Sequence, residues 1–237
     1  MSHALPAPRK TFLKKSADVR RDELISATVR CLLKFGVAET SVRTIAAEAG
    51  LSLGMVRHHF NSKDELLAAT YRSLSEQLRA QTRQALERAD PSPMGQLVAF
   101  IYAGLQPPLL DLRYVRVRFM FWELTHTNPV VRAAHEEIYT RFQKHLLDLV
   151  RGVAKANNAK TDCTLLTLTM TAFLKGVWAE WSLSNDRFDP RRLVDQMMPL
   201  WEAALNHRPE SASAQALLPS PAAAPSRSAA RAAARAR

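Results

Sequence analysis

Arg57, His58 and His59 stand consecutively in a short segment, residues 53–60, that begins after Ser52 and contains Gly54. Guanidinium and imidazole groups donate directed hydrogen bonds, and an arginine can grip a guanine edge bidentately or clamp a phosphate. Arg57 suits either target, and the His58–His59 pair suits either DNA contact or surface packing. A second set is aromatic: Tyr102, Phe119, Trp122, Trp178 and Trp181, with Glu123 beside them. Ring faces attract an organic cation, and a carboxylate neutralises it. Large aromatics at helical spacing also fill cores and interfaces. Glu123, His126, His135 and Glu136 form at best a sparse ligand set. With no cysteine cluster and no HExxH motif, no metal is expected. Neither a nucleophile–base constellation nor a glycine-rich phosphate loop is present, so neither an enzyme nor a cofactor is expected.

The elements that position these residues are helical throughout. Leu24, Ala27, Thr28, Cys31, Leu32 and Phe35 recur at helical spacing and predict a first helix over residues 18–35, with Gly36 at its end where positive φ is required. Residues 41–49 and 53–60 are two short helical patterns around the tight turn Gly50-Leu51-Ser52. Thr40 or Ser41 caps the first, and Ser52 caps the second. Ile45, Ala46, Val56 and Phe60 point inward, leaving the polar side of the second pattern outward. Ser62 and Glu65 predict a capping box opening a long fourth helix to about residue 88. Asp90-Pro91-Ser92-Pro93 breaks the chain. Further helices are expected at 94–106, 112–125, 130–156, 161–183 and 191–206. The fold class is therefore all-α: a three-helix helix-turn-helix over residues 17–63 and a helical body over 64–207.

Composition agrees. The 237 residues are 47% apolar, enough for a globular core. The net charge of +11 resides mostly in the two ends. Residues 1–16 carry Arg9, Lys10, Lys14 and Lys15 without an acid, and read as a flexible basic arm. Residues 208–237 read as a low-complexity Ala/Pro/Arg tail. A basic arm beside a DNA reader favours phosphate attraction, to which Lys14, Lys15, Arg20 and Arg21 contribute salt-sensitive contacts. Cys31 and Cys163 lie in apolar patterns and read as reduced core residues. The most apolar stretch contains Lys175 and Glu180, so no membrane span is expected, and the cytoplasm is the expected compartment.

Three strings carry a family resemblance: Thr40-Ser41-Val42-Arg43-Thr44-Ile45-Ala46, Ala49-Gly50-Leu51-Ser52-Leu53-Gly54, and His58-His59-Phe60-Asn61-Ser62-Lys63-Asp64-Glu65. Together they resemble the DNA-binding domain of the TetR family of repressors. The resemblance implies a homodimer on a near-palindromic double-stranded operator. It places Thr40, Ser41 and Arg43 against phosphates, and Ser52, Leu53, Gly54, Met55, Arg57 and His58 on the recognition helix. His59 and Lys63 then hold the flanking backbone. Arg57 departs from many relatives, which carry Tyr there. In the body, Phe119-Met120-Phe121-Trp122 with His126-Thr127-Asn128-Pro129, and Phe173-Leu174-Lys175-Gly176-Val177-Trp178, are similar to the choline-responsive, BetI-like branch. That similarity implies an effector such as choline or betaine aldehyde and control of choline-to-glycine-betaine genes. The effector would sit among Tyr102, Phe119, Trp122, Glu123, Trp178 and Trp181. The alternative is a repressor of another catabolic or efflux operon. Met197, Met198 and Trp201 are expected in a dimer interface built from the last two helices.

Overall fold

The computed structural model describes residues 17–184 and 187–207. These form nine helices and no strand. They are α1 Ala17–Glu39, α2 Val42–Ala49, α3 Leu53–His59, α4 Lys63–Arg88, α5 Pro93–Ala103, α6 Leu112–Thr127, α7 Pro129–Ala156, α8 Cys163–Leu183 and α9 Arg191–Asn206. The expected basic arm and C-terminal tail lie outside the described residues.

Local chemistry sets the helix ends. Gly36 takes φ 71° and ψ −176°, a conformation open essentially to glycine, and breaks α1 one turn before its end. Gly50 caps α2 in the left-handed region (φ 64°, ψ 30°), which turns the chain sharply into α3. Ser41, not Thr40, caps α2: its Oγ accepts from the Thr44 N–H, while Thr44 Oγ1 accepts from the Ser41 N–H. Ser62 Oγ accepts from the Glu65 N–H at 3.1 Å. The return bond differs from the expected box, because the Glu65 carboxylate accepts from the Asn61 backbone and side-chain amides.

Two apolar cores result. The smaller joins Leu24, Ala27 and Cys31 of α1 to Ile45, Ala46, Val56, Phe60, Leu66 and Ala69. The larger fills the body and draws in Leu32 from α1 and Leu67, Ala68, Tyr71 and Leu74 from α4. The boundary expected between residues 63 and 64 is therefore not a seam. The first two turns of α4 pack on both cores, and Asn128 Nδ2, at the α6–α7 junction, donates to Asp64 at 2.8 Å.

The last two helices differ from expectation in one respect. Trp201 is 4% exposed and packs edge-on against Phe173 inside the subunit, and Met197 and Met198 lean on the core. The exposed apolar residues are Leu165, Leu168 and Leu183 on α8 and Leu193 and Leu200 on α9. On each helix they recur at helical spacing, as an outward stripe. No described helix is long and apolar enough to cross a membrane.

Candidate nucleic-acid interface and effector cavity

α3 is a seven-residue helix, too short to persist alone. Val56 and Phe60 anchor it, at 2% and 4% exposure. Arg21 closes its far end: the guanidinium lies 4.4 Å over the Phe60 ring and reaches the His59 carbonyl. Of Lys14, Lys15, Arg20 and Arg21, the last two are among the described residues, and Arg21 is engaged with the protein itself.

With that face fixed, Ser52, Leu53, Gly54, Arg57 and His58 are exposed on the other, and Met55 is half-buried between them. Ser52 Oγ caps the helix by accepting from the Met55 N–H at 3.2 Å. Arg57 makes no ion pair with any described residue, so its five donors face solvent. His59 is half-buried against the His58 ring (centroids 5.2 Å apart), and its Nε2 is enclosed without a partner. His58 is therefore the more accessible of the two imidazoles. Arg43 is exposed in the first turn of α2, and Lys63 is half-buried in the first turn of α4.

Thr40, expected against a phosphate, turns inward instead. Its side chain is fully buried and donates to the Gly36 carbonyl at 2.6 Å, where it ties off the broken end of α1. A hydroxyl so placed cannot meet a phosphate. Ser41 is half-buried, with its hydroxyl occupied by the cap.

In the body, α4 to α8, with α1 at the edge, line a partly open cavity of about 850 Å³ whose exposed rim lies mainly on α4 and α7. That is within the range of small-molecule sites. Trp122 and Trp178 are in its wall. The other four expected residues are not. Phe119 packs edge-on behind Trp122 at 4.9 Å, and Glu123 is exposed. Trp181 lines a separate shallow hollow near Phe188. Tyr102 is tied by its hydroxyl to the Asp195 carboxylate on α9.

Residues that the sequence reading did not select complete the wall. Tyr71 of α4 stacks on Phe121 at 4.9 Å, and its hydroxyl is 2.8 Å from His135 Nδ1 on α7. Phe100 and Ile101 of α5, Phe142 of α7 and Leu174 of α8 supply apolar surface. Arg118 and Lys175 bring positive charge. Arg118 is 6% exposed. Among the described residues its only hydrogen bond is donated to the Tyr114 hydroxyl, and its Nε has no partner there. Lys175 lies 4.3 Å over the Tyr139 ring and 5.5 Å from the Trp122 ring. Burial and the neighbouring Arg118 hold the Lys175 ammonium below its ordinary pKa. Burial, then Lys175 and Arg118, lower that of His135. Both residues left a signal in the sequence. Arg118 interrupts the inward stripe Tyr114, Val117, Phe121, and Lys175 is the one cation of the largely apolar α8.

Residues 24–70 match the model for bacterial regulatory proteins of the tetR family, and residues 93–206 match the C-terminal domain of BetI-type transcriptional repressors. A crystal structure of a candidate transcriptional regulator from Pseudomonas aeruginosa PAO1 superposes with a TM-score of 0.76 at 30% identity, covering 83% of this chain and 95% of that one. The chain belongs to the TetR family. This TetR protein is also 29% identical to the HTH-type transcriptional regulator BetI of Ectopseudomonas mendocina (strain ymp), over 72% of this chain and 86% of that one. A regulator from Saccharomonospora viridis, solved in complex with choline, shares the fold with a TM-score of 0.66 at 19% identity, covering 78% of this chain and 97% of that one. TetR-family members are DNA-binding transcriptional regulators rather than enzymes, and α1–α3 form the helix-turn-helix domain of this one.

Proposed function

We propose that this chain is a homodimeric repressor that holds a near-palindromic operator through α3 and lets go when a small molecule fills the α4–α8 cavity. The observation that carries the reading is the two-sidedness of α3. Val56 and Phe60 lock one side into the smaller core while Ser52, Leu53, Gly54, Arg57 and His58 stand free on the other. On this reading Met55 contributes to the base-facing side, while Ser41 (through its backbone), Arg43, His59 and Lys63 hold phosphates. The outward leucines of α8 and α9 suit a two-fold interface, which would set the two α3 helices about 34–36 Å apart or somewhat more.

The coupling runs along α4. Tyr71 faces the cavity, and Leu66 and Ala69, within two turns of it, pack in the core that supports α3. A ligand pressing on Tyr71 tilts α4 and carries the reading head with it. The effector must prefer the tilted geometry, because equal affinity for both shifts nothing. A coupling of about 1–3 kcal/mol is usual.

The names of the relatives, and the choline complex of one of them, support choline or betaine aldehyde as effector and choline-to-betaine genes as target. Arg118 and Lys175 favour the other reading, a repressor of a different catabolic or efflux operon, because each adds positive charge to the cavity. A titration of the purified protein against its footprinted operator, with and without choline, separates them. Protection of one palindrome at physiological salt supports the repressor, and uniform weak binding refutes it. Unchanged operator affinity in choline removes that effector and leaves the repressor standing.

A further inference from the structure

We propose that the cavity takes an amphipathic organic anion, a carboxylate on an apolar body, with the carboxylate held by Arg118 and Lys175. The inference rests on the reading of this cavity as the effector site and names the ligand's chemical class.

Three observations support it. The first is unmatched charge. The cavity's acidic residues Asp22, Glu76, Glu137 and Asp148 are all exposed, at its mouth. Glu76 is already paired with Arg79 and Arg83, and Glu137 with Arg72 and Arg141. No described carboxylate is paired with Arg118 or Lys175. Buried cations without a counter-charge are costly to hold and persist where a ligand supplies one.

The second is unmet hydrogen bonding. Among the described residues three buried side-chain polar atoms have no partner, and two of them, Arg118 Nε and Ser75 Oγ, belong to cavity-lining residues. A carboxylate accepts from guanidinium N–H groups in a planar, bidentate geometry and has lone pairs left for an ammonium or a hydroxyl.

The third is that three of the cavity's aromatic rings, Trp178, Tyr139 and Trp122, already face a cation of the protein. Arg118 lies 5.1 Å over the Trp178 ring, and Lys175 covers Tyr139 and flanks Trp122. An incoming cation would meet two fixed positive charges at those rings. The rest of the wall is apolar, with Leu78, Phe100, Ile101, Phe142 and Leu174 around the space an alkyl or aryl body would fill.

The step is binding alone, with no bond made or broken. The test uses the full-length protein without DNA and three probes of similar length: decanoate, decanamide and decyltrimethylammonium. Binding is read by calorimetry and by the fluorescence of the wall tryptophans. Decanoate should bind about 10- to 100-fold more tightly than decanamide, and the ammonium more weakly still. Lys175→Met should erase about tenfold or more of the preference for decanoate over decanamide. Because Lys175 is half-buried over ring faces, that variant keeps its packing, and its far-ultraviolet spectrum and melting curve verify the fold. Equal binding of all three probes, or preference for the ammonium, overturns the anion and leaves an effector cavity in place. Failure of every probe to bind overturns both. Decanoate binding that leaves operator affinity untouched supports the anion and refutes release by the cavity.

Discussion

Gly54→Ala separates the stability of this protein from its grip on DNA. Gly54 is the second residue of α3 and is exposed, and a methyl group added there meets only Ser52 Oγ, at an ordinary 3.8 Å. Nothing inside the subunit therefore opposes the alanine. Helix propensity favours it by up to about 0.5–1 kcal/mol, less so near a helix end. The same methyl projects from the face on which base edges would lie. Inserting a methyl group into a well-packed contact costs about 1–3 kcal/mol, or roughly 5- to 150-fold in affinity. The variant should thus melt at or slightly above the wild-type temperature while its anisotropy titration on an operator selected from random duplexes shifts to weaker binding. Gly50→Ala is the counterpart. Its φ of 64° strains any L side chain by about 1–2 kcal/mol, so there stability falls first. Undiminished operator affinity in Gly54→Ala would show that α3 does not approach DNA closely along this edge. A lower melting temperature would show that the face is internal.

Arg57→Ala should weaken operator binding by about 1–3 kcal/mol and random-duplex binding far less; equal loss on both would reassign Arg57 to phosphate. Arg43→Ala and Lys63→Ala should lower affinity for both duplexes alike and each reduce the slope of log K against log salt by about 1, and an unchanged slope would remove the residue from the phosphate path. For His135 the sign follows from its lowered pKa. Burial and the cations Lys175 and Arg118 outweigh Glu136, so below pH 6.5 the unfolded chain binds a proton that the folded one resists. Stability therefore falls as pH drops through 6.5 and recovers as it rises. His135→Gln should flatten that part of the urea midpoint profile, and a profile as steep as wild type's would place the acid sensitivity elsewhere.

Much of the fold was legible because its signals are local. Gly36 and Gly50 are residues whose backbone conformation few others adopt, and Ser41, Ser52 and Ser62 each precede a run with helical spacing. The inner face of the reading head followed from spacing alone, Ile45 with Ala46 and Val56 with Phe60. What spacing does not reveal is which of two neighbouring polar residues turns inward. Thr40 and Ser41 look alike in the sequence, and only the break at Gly36 makes Thr40 the buried one. The cavity was harder to find. Aromatic residues draw attention, yet Phe119 and Trp181 face away, and the wall is built from six helices whose mutual rotation no single-helix pattern contains. The case of Trp201 has the same origin: a large apolar side chain looks equally suited to a neighbour's core and to its own.

Leu66 and Leu67 are consecutive on α4, and one belongs to each apolar cluster. A hybrid regulator that joins this operator reader to a foreign sensor thus has no clean splice point, because a crossover on either side of the pair takes one cluster's leucine from the wrong parent. Transplanted sensors should work only when they bring a compatible α4 with them, so sequence specificity and ligand specificity in this scaffold are inherited through one shared rod.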